Sequence, residues 1–182
     1  NLGLRIIYGV LNNIDDLVCE RFFAPEADME AALKNANKGL FSWESHRELS
    51  GFDLLGFSLG SELNYTNVLN ILDLAGLPLE SSLRNHQHPL VIAGGPTTLN
   101  PEPMADFFDL FIIGEAEDSI VELLNLYRNF TEDYKNGRLT KQGLLIKLSK
   151  IEGVYAPSLY AVDYNASGEL IAFYPKDCVL PL

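Results

Sequence analysis

Two stretches constrain this chain more than any others: Leu90-Val91-Ile92-Ala93-Gly94-Gly95-Pro96 and Leu110-Phe111-Ile112-Ile113-Gly114-Glu115-Ala116-Glu117-Asp118. Each is an apolar run of β type that ends on glycine and passes into polar residues and a new helical pattern. Apolar runs without alternation belong to strands covered on both faces by helices. Strand, glycine turn and helix in that order describe an open parallel sheet, whose ligand crevice lies beyond the carboxyl ends of its strands. A glycine pair at such an end lets another group approach the backbone, because no Cβ stands in the way.

The rest of the chain extends this alternation. Leu2, Ile6, Ile7, Val10 and Leu11 recur at helical spacing. Residues 17–23 read as a strand closed by Ala24-Pro25, and Asp28 as the cap of a helix ending near Gly39. Residues 40–44 read as a short extended piece and 54–59 as a buried strand. An amphipathic helix over 64–75 follows, stopped by Gly76. A polar loop over 81–89 carries His86 and His88. Pro103 opens a short helix through Phe107, and Asp118 or Ser119 starts a helix to about Phe130. After a break at residues 134–137, residues 140–151 are helical, and 159–164 with 169–174 form a β-hairpin around Asn165-Ala166-Ser167-Gly168.

The fold class expected is therefore α/β, a doubly wound parallel sheet of the flavodoxin-like kind with a C-terminal hairpin appendage. Residues 1–130 form the α/β domain, and 131–182 a helix-and-hairpin extension. Such a domain normally starts on a strand, whereas this chain opens on a helix pattern. The expectation is a piece of a longer protein whose first, central strand lies upstream of Asn1. Without that strand, its two neighbours face an open gap with unpaired backbone groups.

Composition narrows the partners. Hydrophobic residues make up 47% and charged residues 21%, as in ordinary globular proteins. The net charge of -12 opposes binding to nucleic acid and to anionic membranes. Cys19 reads as a core residue, Cys178 stands near the C-terminus, and no Cys-x-x-Cys occurs for a zinc ribbon or an iron–sulfur cluster. Two cysteines, no apolar run of membrane length and no signal peptide point to the cytoplasm. No Gly-x-Ser-x-Gly elbow, Walker loop or Gly-x-Gly-x-x-Gly is present, so catalysis by this chain alone is not expected.

Several segments together resemble one family. They are residues 1–4, 52–59, 62–76, Ile92-Ala93-Gly94-Gly95-Pro96, Asn100-Pro101-Glu102-Pro103, 105–109 and 152–160. They are similar to the N-terminal cobalamin-binding-like domain of uncharacterised bacterial radical S-adenosylmethionine proteins of the Fe-S oxidoreductase type. The resemblance implies an accessory domain that holds a corrinoid (cobalamin) against a following barrel. That barrel carries the 4Fe-4S cluster and S-adenosylmethionine, and its three-cysteine motif is absent here. It also implies that Ser58, in Ser58-Leu59-Gly60, lies near the cofactor's nucleotide tail, and that Gly94-Gly95 lines the cofactor. The Asp-x-His-x-x-Gly motif that ligates cobalt in cobalamin folds is missing, so histidine ligation is not implied.

Each candidate residue also has a plainer reading. Ser58 serves a tail or satisfies backbone groups at a strand end. Gly94, Gly95 and Pro96 admit a ligand or make a tight turn. Glu62 and Tyr65 line the crevice, or Glu62 favours a helix N-terminus and Tyr65 packs. Gly114 and Glu115 repeat the pattern at the last strand, where Glu115 contacts a ligand or caps the next helix. His86-x-His88 lacks further metal ligands, and no metal site is assigned. Two other functions stay open: binding of a nucleotide or flavin in the same crevice, and a docking module that has lost its ligand.

Overall fold

The computed structural model describes residues 2–176. Its main sheet has four strands: β1 (Leu54–Ser58), β2 (Leu90–Gly94), β3 (Leu110–Ile112) and β4 (Val154–Tyr155). They lie in the order β1-β2-β3-β4; the first three are parallel and β4 runs antiparallel to β3. Strands β5 (Tyr160–Tyr164) and β6 (Leu170–Pro175) form the separate hairpin expected from the sequence.

Two helical layers sandwich the sheet. On one face Leu90, Ile92, Leu110 and Ile112 meet α4 (Ala116–Lys135) and α5 (Lys141–Leu148), with α1 (Leu2–Asn12) packed beside α4. On the other face Leu55, Phe57, Val91, Ala93 and Phe111 meet α3 (Tyr65–Leu74) and Leu33 of α2 (Ala27–Ala36). The four residues from Leu90 to Ala93 are all buried, the two-sided burial that their unbroken apolar run implies. Edge-to-face and tilted ring contacts run across the second face, from Phe22 through Phe57, Phe108 and Phe111 to Tyr155. Tyr155 then meets Tyr160 and Phe173, which seats the hairpin against the sheet.

Several expectations need correction. Residues 17–23 are extended but form no strand, because no neighbouring strand supplies a ladder. Their hydrogen bonds come instead from the Asn12 and Glu44 side chains and the Trp43 backbone. The sheet is not all parallel: β4 is two residues long, too short to register as a periodic pattern. Helix α2 starts at Ala27 with Glu26 at its N-cap; the Asp28 carboxylate accepts the N–H of the adjacent Met29. It stops at Asn37, whose φ of 50° is left-handed, before Gly39 is reached. Helix α4 begins at Ala116 and runs on to Lys135, since Tyr134 continues its buried stripe of Ile120, Leu123, Leu124 and Tyr127. The helix opened by Pro103 is a single 3-10 turn over Glu102–Met104. Among the described residues, no helix is long and apolar enough to cross a membrane. Cys178 lies outside the described residues.

Candidate functional site

The carboxyl ends of β1, β2 and β3 form one rim. Register places Ser58 beside Gly94, so the first two candidate groups are neighbours. Gly114 and Glu115 stand one strand further on, beyond β3.

The loop after β1 is held by its own hydrogen bonds. Ser61 accepts the Leu63 N–H through its Oγ (3.2 Å), and its own N–H donates to Asn64 Oδ1 (3.1 Å). This capping box closes a 3-10 turn over Glu62–Asn64 that leads into α3. Gly60 and Glu62 are exposed on it, and Tyr65 is half-buried against the α3-side core. Glu62 is the acidic residue of the first turn of this segment.

The two glycines after β2 differ sharply. Gly95 has φ 111° and ψ 176°, a region open essentially to glycine alone. A Cβ there would stand 2.7 Å from the Leu59 carbonyl oxygen. The close approach that Gly95 permits is therefore to the chain's own Leu59. Around Gly94 and Gly114 a Cβ would meet nothing within 4 Å. Pro96 starts a 3-10 turn over Pro96–Leu99, which two threonines pin. Thr97 Oγ1 donates to Leu59 O (3.1 Å), and the buried Thr98 Oγ1 reaches Gly95 O (2.8 Å) and Ile112 O (3.1 Å). Sequence reasoning missed both threonines; a Thr-Thr pair just past a glycine turn was the available signal. Glu115 occupies the N-cap of α4, but its side chain makes no cap hydrogen bond. Leu63 and Leu99 project from the two pinned turns at 86% and 78% exposure.

The opposite, amino-terminal end of the sheet is organised by charge. Arg84 is 3% and Asp109 2% exposed. Arg84 donates to the carbonyls of Pro78, Leu79 and Phe107 (3.0, 2.7 and 2.7 Å) and to Asp109 Oδ2 (3.3 Å). Asp109 Oδ2 also accepts the Val91 N–H (2.7 Å), and Lys141 Nζ stands 2.5 Å from Oδ1. Burial pushes the Lys141 pKa down, against the pull of Asp109 upward. A depression of about 480 Å³ opens at this end, bordered by Asp53, His86, His88, Tyr134 and Lys135. Its lysine is already paired with Asp53. His86 and His88 therefore sit at the end of the sheet away from the expected crevice, while the ring of His46 meets Phe41 edge to face (5.4 Å).

An imidazole-ligated corrinoid does not fit the rim. His86 and His88 border the depression at the other end of the sheet, His46 lies against Phe41, and the Leu59 backbone already occupies the close approach beside Gly95.

Comparison with known proteins matches this sequence to a family. A family model described as the N-terminal region of radical SAM (S-adenosylmethionine) proteins matches residues 3–157. An uncharacterized protein of Methanocaldococcus jannaschii is 29% identical over 132 residues, covering 72% of this chain and 27% of that protein. The chain thus spans about a quarter of the length of the relative it matches. No solved structure matches. The match over most of the chain places it in the family of radical SAM protein N-terminal regions.

Proposed function

We propose that this chain is an accessory domain of a radical S-adenosylmethionine protein, and that its carboxyl rim docks the part of that protein that bears the iron–sulfur cluster. One observation carries this reading: Leu63 and Leu99 are held out in solvent on adjacent, hydrogen-bonded turns at the ends of neighbouring strands. Large apolar side chains exposed on hydrogen-bonded turns that follow neighbouring strands suit a surface that another surface covers. The 4Fe-4S cluster and S-adenosylmethionine supply the radical chemistry from outside these residues. The residues of this chain contribute position: Ser61, Thr97 and Thr98 fix the turns that present the two leucines.

The test is a pair of substitutions in the longer polypeptide, Leu63→Ser with Leu99→Ser. Exposed positions of this kind change stability by less than about 0.5 kcal/mol. The expected outcome is an unaltered melting temperature of this domain with faster proteolytic separation from the cluster-bearing part. Unchanged association would overturn the docking reading. A parallel titration with hydroxocobalamin separates the alternative. A saturable corrinoid spectrum that Gly94→Trp abolishes would return the rim to cofactor binding.

A further inference from the structure

The outer edge of β1 and the extended segment 17–23 present matching rows of unused backbone groups. At β1, Leu90 donates its N–H to Asp53 O (3.0 Å), and Leu59 donates to Gly94 O (2.8 Å). Peptide groups alternate in direction along a strand, so Leu55 and Phe57 turn theirs toward β2 as well. Leu54 and Gly56 turn theirs to the outer edge, where no strand lies among the described residues. Gly56 is exposed there although it sits in the third, central residue pair of the sheet's longest ladder.

Segment 17–23 mirrors this arrangement. The Cys19 N–H donates to Asn12 Oδ1 (3.0 Å), and its carbonyl accepts from Asn12 Nδ2 (3.1 Å). The Arg21 N–H donates to Glu44 Oε2 (2.7 Å), and its carbonyl accepts the Trp43 N–H (2.7 Å). The peptide groups of Cys19 and Arg21 are thus satisfied from one side. Those of Val18, Glu20 and Phe22 turn the other way and make no backbone hydrogen bond among the described residues.

Side chains of the segment alternate as a strand's do. Leu17 and Cys19 pack with the α4-side core, and Phe22 packs with the α3-side core. Phe22 meets Phe57 ring to ring (5.2 Å, edge on), near the C-terminal end of each segment, as a parallel alignment requires. The two segments therefore touch through side chains over one face, with their backbone rows still open.

We infer that a single apolar β-strand of the same, longer polypeptide inserts between residues 17–23 and β1, parallel to both. Helix α1 identifies the donor. It packs on α4 at one face of the sheet and leads directly into the segment, the place of the crossover helix in a βαβ unit. A strand entering α1 from its N-terminal side lands in this position. Room for such a strand exists in the family: the matched stretch is 27% of the length of the Methanocaldococcus jannaschii relative. The inserted strand is covered on both faces, so it is a continuous run rich in Val and Ile. With it in place, residues 17–23 become a strand, and the sheet takes the order 2-1-3-4-5, the doubly wound flavodoxin-like order, with β4 antiparallel at the far edge.

The experiment is amide hydrogen exchange on the full-length polypeptide. The amides of Val18, Glu20, Phe22, Leu54 and Gly56 are expected to exchange as slowly as those of Leu55 and Phe57, at least 100-fold slower than unprotected amides. Exchange of these five at unprotected rates would overturn the inference. So would cross-strand contacts found only between labelled and unlabelled copies, which would make the occupant a second molecule. A variant sharpens the reading: Gly56→Pro removes an outward N–H and none of those that face β2. It is expected to speed exchange at Val18, Glu20 and Phe22 by tenfold or more through loss of the inserted strand, while Leu55 remains protected. Equal, unchanged protection at all of these positions in that variant would also count against insertion.

Discussion

The two ends of the sheet are built by opposite means. At the amino-terminal end, one buried carboxylate gathers an arginine, a lysine and a strand N–H, and that arginine ties three loop carbonyls. At the carboxyl end, no buried charge appears among the candidate residues; glycine conformation and threonine hydroxyls shape the loops. A charged knot holds only while every partner is present, because each ion is desolvated. A rim made from backbone contacts leaves its side chains free to face outward. In this chain the first end secures the fold and the second offers surface.

The largest test of that contrast is Asp109→Ala. It strands Arg84 and Lys141 without their counter-charge and should cost about 3–5 kcal/mol, read as a lower urea midpoint. A loss below about 1 kcal/mol would show that water reaches the knot and that the ends are not so different. Next comes the glycine pair. Gly95→Ala forces a methyl onto the Leu59 carbonyl in a glycine-only conformation and should cost about 1–3 kcal/mol or more. Gly94→Ala has open space and should change the melting temperature little. Equal effects at the two positions would deny that Leu59 is what Gly95 accommodates.

The smallest effect belongs to Tyr134. Its hydroxyl is buried without a hydrogen-bond partner among the described residues, so Tyr134→Phe should be neutral or stabilising by about 1 kcal/mol. The same group governs behaviour in alkali. Burial raises the phenol pKa of Tyr134 and that of Tyr155, and pushes Tyr127 up to about 12. Unfolded tyrosines release protons from about pH 10, whereas these folded ones still hold theirs. The folded state then binds more protons, so stability falls as pH rises above about 10. Tyr134→Phe should flatten that fall in a pH series of thermal melts.

Much of this was legible in the sequence because it is local. The runs ending at Gly94 and Gly114 announced two buried strands, and Gly76 (φ 67°) marked a real stop. The hairpin turn was legible because Asn165 accepts the N–H groups of Ser167 and Glu169, a contact within five residues. What escaped depends on distant partners. Gly95 was visible as a glycine, but its neighbour Leu59 comes from another strand end. Arg84, Asp109 and Lys141 meet only after three loops converge, and none stands in a telling motif. Residues 17–23 have strand composition, yet composition does not supply the ladder that defines a strand.

Trp43 gives this architecture an unplanned property. It is the sole tryptophan of the chain, 66% exposed, with its backbone bonded to Arg21 and its indole 6.3 Å from the Phe23 ring. Its emission therefore reports on residues 17–23 and on nothing deep in the core. The molecule carries its own optical gauge of whether that segment is loose or held.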